Sequence, residues 1–394
     1  MEAVKIVTVK DILPLFKGKE NAENVELITF KELGFEVVSR KNLYKKEDKA
    51  IFILPDYCVS DIDLFKDFIA PNGDKSRSYL GNVNGEPRRI RAKKFSLHKG
   101  DGTSIYSNGI LLSYYLVSEY LGDTDLNSKD LTIKLGITKY EEPEEINSKN
   151  EKYKSYGKLN FPSGIYKTDE TNINMLWEAI RFPIKLIGTQ KVDGSSISIG
   201  ITNDHPEGFI ASRNVNIPIY VNKFTHRRNK TWIEKILFWT NPDLNVYTKQ
   251  VNDNIFVKAG IDYLKIMSIV GLNNIILRGE LNGKESKGSG NKDNPSQKLP
   301  TNIQFFNIDE YNNGIAKKVS YDKFIKLCQA WSFPTVPLLF EKTFNSREEI
   351  ERKCEEYFIN HKKRTKEIIE GIVLKTTDSR FSCKYMNNEY DSRK

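Results

Sequence analysis

The stretch Lys191-Val192-Asp193-Gly194-Ser195-Ser196 directly follows a strand-like run, residues 182–188, and governs how the rest of the chain is interpreted. Lys191 leaves a buried strand, and Asp193 lies two residues later on the same pleat face. Gly194 then permits a tight turn. A lysine and a carboxylate at this spacing suit a covalent nucleotide site, and Lys191 is the predicted nucleophile.

Covalent chemistry at Lys191 requires a neutral amine, because an ammonium has no lone pair with which to attack phosphorus. Burial and neighbouring cations favour the neutral amine, whereas Asp193 favours the ammonium. A divalent cation against the carboxylates would offset their charge, so the stretch implies a metal cofactor. Taken alone, this motif is more commonly a surface lysine before an Asp-Gly turn than a covalent nucleotide site. The surrounding sequence has to distinguish the two interpretations.

Composition indicates an intracellular globular protein with room for two or three domains. The chain has 394 residues, of which 39% are hydrophobic. No apolar run approaches the roughly 18 residues that a membrane helix needs, and residues 1–9 lack the layout of a signal peptide, so we expect no membrane association. Four scattered cysteines without Cys-x-x-Cys spacing predict reduced thiols rather than a zinc ribbon or a disulfide framework. With four histidines, histidine-based catalysis is not expected.

The charge balance permits a polyanionic partner. The chain has 61 basic and 52 acidic residues, a formal net charge of +9. The run Arg88–Phe95 mixes basic and apolar residues along a predicted strand and suits contact with a phosphate backbone. Two simpler interpretations stay open: a basic protein that is merely soluble, and an edge strand protected by lysines.

Hydrophobic periodicity predicts an α+β fold in two domains. Apolar residues nearly vanish between residues 141 and 160, which indicates a connector, and we place the domain boundary near residue 150. Before it lie short strands that predict a small barrel or sandwich; after it, helices and strands alternate. The predicted strands are 3–9, 25–30, 34–38, 50–54, 275–281, 303–309 and 370–375, and the predicted helices are 250–268, 320–331 and 346–362, with a further helix start in 167–177.

Three later segments can converge on Lys191. A strand ends in Leu277-Arg278-Gly279-Glu280, a second carries Phe305-Phe306-Asn307, and a third is Glu370–Lys375, in which Val373 and Lys375 share a face. Lys384 supplies a further cation. The glycine-rich stretch 283–292 is not a P-loop, because the Lys and Ser/Thr required after the second glycine are absent.

In this order, Lys-x-Asp-Gly, Gly-Glu, Phe-Phe-Asn-Ile, Glu-Gly-x-Val-x-Lys and a final lysine resemble the ATP-dependent RNA ligases of the covalent nucleotidyltransferase superfamily. Residues 131–140, 161–170 and 211–214 resemble the subgroup with an N-terminal OB-type domain. The resemblance covers nearly the whole chain.

The resemblance implies an OB-type β-barrel with its connector in residues 1–150, engaging RNA, and an adenylyltransferase domain (an ATP-grasp-like nucleotidyltransferase of antiparallel sheets and helices) in residues 151–394. It implies that Lys191 takes AMP from ATP, that AMP passes to an RNA 5′-phosphate, and that a 3′-hydroxyl displaces it. A nicked duplex RNA is the expected partner, Mg²⁺ or Mn²⁺ the metal, RNA repair the context, and a monomer the expected state. The roles it assigns are metal binding by Asp193, Glu280 and Glu370, adenine stacking by Phe306, phosphate contact by Lys375 and Lys384, and contact with phosphate or the 3′-hydroxyl strand by Arg213. Glu280 and Glu370 also belong to the predicted nucleotide site, as does Val373, whose face shared with Lys375 suits a position under the base.

The sequence departs from the family pattern at two positions. Asn307 stands where an Asp is usual, and Ser382 occupies the first lysine position of a Lys-x-Lys pattern. DNA ligases and mRNA-capping guanylyltransferases share the lysine chemistry, but they carry an OB domain after the last motif, where this sequence has only ten residues beyond Lys384. A nucleic-acid-binding relative with an inactive ligase domain is the alternative of a different class.

Overall fold

Antiparallel sheets with a small number of helices form the chain, which confirms the predicted α+β class. A computed structural model describes residues 2–123, 126–141, 159–229, 243–286 and 291–393. The domain boundary predicted near residue 150 lies outside the described residues.

The strands of the described residues are numbered in chain order. They are β1 (Val4–Lys17), β2 (Glu20–Phe30), β3 (Glu36–Arg40), β4 (Lys49–Ile53), β5 (Tyr57–Cys58), β6 (Gly81–Val83), β7 (Glu86–Arg89), β8 (Lys93–Phe95), β9 (Ile105–Ser107), β10 (Ile110–Ser113), β11 (Thr138–Lys139), β12 (Leu159–Asn160), β13 (Ile184–Lys191), β14 (Ser195–Thr202), β15 (His205–Ala211), β16 (Val215–Ile217), β17 (Tyr220–Asn229), β18 (Asp243–Val251), β19 (Ile275–Asn282), β20 (Asn302–Asn312), β21 (Ile315–Lys318), β22 (Leu338–Phe344), β23 (Gly371–Lys375) and β24 (Ser382–Met386).

The α-helices of the described residues confirm the three predicted in the second half of the chain. They are Lys66–Ile69, Tyr114–Leu121, Ser128–Lys134, Ile255–Ile269, Tyr321–Ala330, Arg347–Thr365 and Asn388–Asp391. Ser346 caps the sixth, its hydroxyl accepting from the Glu349 amide. None of these helices is long and apolar enough to cross a membrane.

The prediction of an α-helix that starts within residues 167–177 is wrong. The Asn172 side chain caps only one 3₁₀ turn, Ile173–Met175, and a second such turn ends at Ala179. The chain must enter β13 at Ile184, so no room remains for a longer helix.

The N-terminal strands form a five-stranded antiparallel sheet in the order β10-β4-β1-β2-β3. Long, bulged β1 pairs with β2 on one side and β4 on the other. Among the described strands no ladder joins β3 to β10, so the sheet is open where a barrel would close. A second small sheet has the order β11-β5-β7-β6. The expected OB-type barrel is therefore not confirmed, and the sheet forms only half of one.

The predicted single strand at Arg88–Phe95 is two strands. The Ile90 amide still donates to the Tyr57 carbonyl of β5, but the main chain then leaves this sheet, and the Ala92 amide donates to the Asp391 carboxylate. Lys93 and Lys94 are exposed, which leaves them available for the predicted phosphate contact.

Two large sheets and the two-stranded sheet β17-β18 lie in the described part of the second half of the chain. One has seven strands, β12-β16-β15-β14-β19-β20-β21, and shares a core with the helices Ile255–Ile269 and Tyr321–Ala330. The other, β22-β13-β23-β24, packs on the helix Arg347–Thr365. Because β13 and β14 belong to different sheets, the three residues between them carry the chain from one sheet to the other. The four cysteines are free thiols, as predicted.

Candidate active site

A cavity of about 670 Å³ opens where β13 passes into β14, and this volume is typical of a small-molecule site. The structure brings all nine predicted site residues to its wall. They are Lys191, Asp193, Arg213, Glu280, Phe306, Glu370, Val373, Lys375 and Lys384.

Lys191 and Glu370 form an ion pair in this cavity, with the lysine Nζ 2.5 Å from the glutamate Oε2. Strand register explains it: Lys191 ends β13 opposite Gly371 of β23, so Glu370 falls beside the lysine. The Glu370 side chain is 6% exposed and that of Lys191 is 26% exposed. Solvent therefore reaches this ion pair mainly at the lysine.

Gly194 is required for close approach rather than for a left-handed turn. A Cβ at this position would lie 2.3 Å from the Leu281 carbonyl oxygen and 2.9 Å from the Glu280 Cγ. The loop therefore rests directly on β19, and Glu280 lies against it. The turn-based reason given for Gly194 is thus replaced by a packing reason.

Asp193, between Lys191 and the glycine, is buried and held from two sides. Its Oδ2 accepts a 2.5 Å hydrogen bond from the Tyr390 hydroxyl, and its main-chain carbonyl accepts from the Asn294 side chain at 3.1 Å. Tyr390 was not identified from the sequence.

Cross-strand register places the β-strand residues of the site on one face. Thr189 lies opposite Val373, and Val373 lies opposite Lys384 on β24. Lys191 lies two residues after Thr189, and Lys375 lies two residues after Val373, so both lysines share this face. The opposite face packs in the core with the helix Arg347–Thr365. The alternation predicted for Val373 and Lys375 is confirmed.

A β-bulge directs Phe306 to the cavity. Arg278 lies opposite Asn307 and Gly279 lies opposite Phe305, so Phe306 is the extra residue. Phe305 is fully buried in the core, whereas Phe306 is half-buried and lines the cavity. The strand irregularity therefore directs Phe306 to the cavity rather than into the core.

Lys375 is buried beneath this bulge. Its Nζ donates to the Phe306 carbonyl at 3.0 Å and lies 5.4 Å from the centroid of the Tyr321 ring. Burial lowers the pKa of Lys375 to about 8, Glu170 opposes that shift, and Lys318 adds to it. Contact between Lys375 and phosphate stays a prediction; here its ammonium supports the backbone of the residue predicted to stack on adenine.

Asn307 belongs to a buried network around the ion pair of Arg278 and Asp309, which are 2.7 Å apart. Its side-chain amide donates to the Asp309 Oδ1 at 2.7 Å, and the Tyr166 hydroxyl donates to the same oxygen at 2.7 Å. An aspartate at position 307 would face Asp309 with no hydrogen to donate. The departure from the family pattern is explained by Asp309, which keeps a negative charge in this region.

Asp169 joins the two halves of the chain and was not identified from the sequence as a site residue. Its Oδ2 accepts from Arg213 Nη2 at 3.0 Å and also from the Nζ of Lys139 on β11. Burial alone would raise the pKa of Asp169, but Lys139, Lys384 and Arg213 lower it below the ordinary value. Arg213 is thus oriented by a carboxylate at the cavity wall.

N-terminal residues also line the cavity. Arg89 pairs with Asp56 at 2.8 Å, and its guanidinium lies 3.9 Å from the centroid of the Tyr140 ring. Arg88 pairs with Asp61 at 3.2 Å. Two of the three arginines in the run predicted to contact phosphate are therefore already engaged with carboxylates, which their charge pattern did not reveal.

The residues fit a divalent cation that shares its ligands with a substrate. Glu280 and Glu370 supply hard carboxylate oxygens at the cavity wall, which Mg²⁺ and Mn²⁺ accept. Within the described part of the chain, no three His, Cys, Asp or Glu side chains form a group that holds a metal ion alone. Phosphate oxygens and water would have to complete the coordination.

Residues 184–387, just over half of the chain, match the RNA ligase family, and this range contains all nine predicted site residues. The chain belongs to the RNA ligase family. Comparison with curated proteins finds no significant match.

Solved structures of an RNA ligase share the fold of this chain. A mutant of Naegleria gruberi RNA ligase with ATP and Mn has a TM-score of 0.69 and 20% identity, over 100% of this chain and 99% of that one. Another mutant, with AMP and Mn, gives the same values. The Naegleria gruberi enzyme with PPi has a TM-score of 0.67 and 20% identity, over 99% and 98% of the two chains.

Adjacent phenylalanines provide a matched test of the site. Phe305→Ala should lower the free energy of unfolding by about 3–5 kcal/mol, because it empties a core position. Phe306→Ala should cost much less stability but weaken ATP binding, because it removes the ring predicted to stack on adenine. Chemical denaturation and calorimetric titration with ATP measure the two effects. Equal loss of stability in both variants would contradict the bulge assignment.

Lys375 should make stability depend on pH. The folded chain loses this proton near pH 8 and the unfolded chain near 10.5, so the unfolded state binds more protons between these values and the free energy of unfolding rises with pH. Relative to Lys375→Met, the wild type should gain up to roughly 3 kcal/mol across this window. Urea unfolding at several pH values measures the difference. Lys317→Met, at an exposed position, is the control. The prediction is refuted if the difference in free energy of unfolding between the wild type and Lys375→Met changes with pH no more than the difference between the wild type and Lys317→Met.

Proposed function

We propose that the chain is an ATP-dependent RNA ligase that joins a 3′-hydroxyl to a 5′-phosphate through a lysyl-AMP intermediate. The observation that carries the proposal is Lys191, partly exposed in a cavity and ion-paired to Glu370 at the passage between two sheets. Family membership supplies the substrate class. The Naegleria gruberi structures with ATP, AMP and PPi support the nucleotide chemistry.

In the first step the Lys191 Nζ attacks the α-phosphorus of ATP. A nitrogen–phosphorus bond forms, the bond to the bridging oxygen breaks, and pyrophosphate leaves with the electron pair. The contact between the ammonium and Glu370 must loosen, and the ammonium must release a proton to the solvent that reaches the partly exposed lysine, before the nitrogen can attack. Glu370 is positioned to hold Lys191 in place until then.

Phe306 and Val373 would hold the adenine from opposite walls of the cavity, because the first lies on the seven-stranded sheet and the second on the four-stranded sheet. Lys384 and Arg213 would contact phosphate. Lys375 would keep Phe306 in place through its carbonyl. Ser382 lies opposite Lys375, so a small hydroxyl rather than a second cation stands beside this buried ammonium.

Glu280 and Glu370, with Asp193 nearby, are the residues that would hold Mg²⁺ or Mn²⁺. When bound, the cation would supply positive charge against the phosphate oxygens of the nucleotide.

The second and third steps use the same cavity. An oxygen of the RNA 5′-phosphate attacks the phosphorus of lysyl-AMP, forming a phosphate–phosphate linkage and releasing the Lys191 amine. The 3′-hydroxyl of the other end then attacks the RNA 5′-phosphorus, and AMP leaves with the bridging oxygen. Arg213, held by Asp169 at the cavity wall, is suited to contact the incoming strand.

We assign residues 1–150 to an OB-type RNA-engaging domain and residues 151–394 to the adenylyltransferase domain. The order β10-β4-β1-β2-β3 and the gap between β3 and β10 are compatible with the partly open five-stranded barrel of that fold. The exposed Lys93 and Lys94 are suited to contact RNA phosphates. A nick in duplex RNA, sealed by a monomer during RNA repair, is the proposed substrate and setting.

Lys191→Ala should abolish adduct formation. Incubation with α-labelled ATP followed by denaturing electrophoresis should label the wild type and leave the variant unlabelled, because no other residue is proposed to carry AMP. Lys185→Ala is the matched control. Lys185 lies on the same strand but does not line the cavity, and it forms an ion pair with Glu341 at a distance of 2.5 Å. Excess chelator should also prevent labelling. Label on Lys191→Ala at the wild-type level would refute the nucleophile assignment.

A 3′-terminal ribose should be preferred over deoxyribose. A site that hydrogen-bonds the 2′-hydroxyl loses that bond and leaves its own polar groups unpaired when the hydroxyl is missing, which costs about 5- to 150-fold in rate. The measurement compares two nicked duplexes that differ only in this sugar, under single-turnover conditions with preformed enzyme–AMP. Equal sealing rates would reject RNA specificity and favour a DNA ligase. No sealing of either duplex by a labelled enzyme would favour a capping-type enzyme.

A further inference from the structure

The segment Asn387–Asp391 contacts both acidic residues beside the predicted nucleophile, Glu370 at its main chain and Asp193 at its carboxylate. The Asn387 amide donates to the Glu370 carbonyl at 2.9 Å, and its side chain donates to the Ile369 carbonyl at 3.0 Å. The Tyr390 hydroxyl donates to the Asp193 Oδ2 at 2.5 Å. One short segment thus holds Glu370 by its main chain and Asp193 by its side chain.

The same segment is anchored on its other sides. The Asp391 carboxylate accepts from the Ala92 amide at 2.9 Å, a buried bond between residues 299 positions apart. The Asn291 side chain donates to the Tyr390 carbonyl at 3.0 Å. Tyr390 has no exposed surface, so its ring and hydroxyl are fixed by packing as well as by hydrogen bonds.

We propose that Tyr390 is a positioning residue, which holds the Asp193 carboxylate and with it the loop 191–194 in the geometry needed for transfer of AMP to Lys191. The inference rests on the proposed function. Gly194 brings the loop into direct contact with β19, but that contact constrains only the end of the loop. One residue closer to Lys191, the Asn294 side chain holds the Asp193 main chain, and the Tyr390 bond fixes the orientation of its carboxylate.

The contact has a specific consequence for the reaction. A carboxylate fixed by a neutral hydroxyl keeps one orientation while the ammonium of Lys191 separates from Glu370. Without the hydroxyl, the carboxylate can rotate during this rearrangement, and the attacking nitrogen loses its alignment. ATP binding depends on other walls of the cavity and should change little.

Tyr390→Phe tests the proposal, with Tyr385→Phe as the matched control. Tyr385 lies on the adjoining strand, and its hydroxyl donates to Glu355 at 3.0 Å rather than to the loop. Tyr390→Phe should slow lysyl-AMP formation at saturating ATP by about tenfold or more, with the ATP dissociation constant changed less than about twofold. Tyr385→Phe should leave the rate unchanged. Equal rates for the two variants would overturn the proposal.

Hydrogen exchange in the nucleotide-free, full-length protein supplies a readout that is independent of activity. Amides 192–196 should exchange faster in Tyr390→Phe, while those of β23 stay protected as in the wild type and Tyr385→Phe. Exchange that rises everywhere, or nowhere, would show that the hydroxyl does not hold this loop. If the wild type forms no adduct, the proposed function fails, and the exchange experiment still decides whether Tyr390 fixes the loop.

A double-mutant cycle identifies the residue through which Tyr390 acts. Asp193→Ala removes the oxygen that accepts from the Tyr390 hydroxyl. In that background Tyr390→Phe should add little further loss in the rate of lysyl-AMP formation, because the shared contact is already absent. Multiplicative losses would show that Tyr390 does not act through Asp193.

Discussion

The ion pair of Lys191 and Glu370 depends on the register of β13 against β23, and the rest of the cavity depends on that register. With Lys191 opposite Gly371, the alternation of the strand sets Val373 and Lys375 on the same face as the lysine. A slip of one residue would turn both side chains into the core that the other face shares with a helix. The pairing of two strands, rather than any single contact, therefore assembles the site.

The features that the sequence made predictable are those with a local signal. Alternating apolar residues predicted β19, β20 and β23, and chemical groups at strand ends marked Lys191, Glu280 and Glu370. Contacts between distant segments had no such signal. The pairs of Lys139 with Asp169 and of Tyr390 with Asp193 join residues that are 30 and 197 positions apart, so nothing in either neighbourhood indicated the other. Arg88 and Arg89 were interpreted from their charge, and their neutralising carboxylates are visible only in the folded chain.

Asn307 shows how a departure from a family pattern is understood once its neighbours are known. Asp309 already accepts from Arg278, Tyr166 and Asn307, so the position next to it along the same face needs a donor. Counting charges along the sequence indicated a loss near the nucleotide. The three-dimensional network shows that the negative charge lies two residues further on, paired and buried.

The extra residue in β20 has a consequence for how this strand can change during evolution. Before it, Ile303 and Phe305 belong to the core; after it, Ile308 does, so the inward set changes from odd to even positions. If one residue were deleted here, the core positions would stay at every second residue along the whole strand. In the second half of the strand, the side chains that now face the core would then face outward. Point substitutions can alter how the cavity holds a ring, whereas insertions and deletions would disturb the sheet itself. The length of this strand is therefore under stronger constraint than most of its side chains.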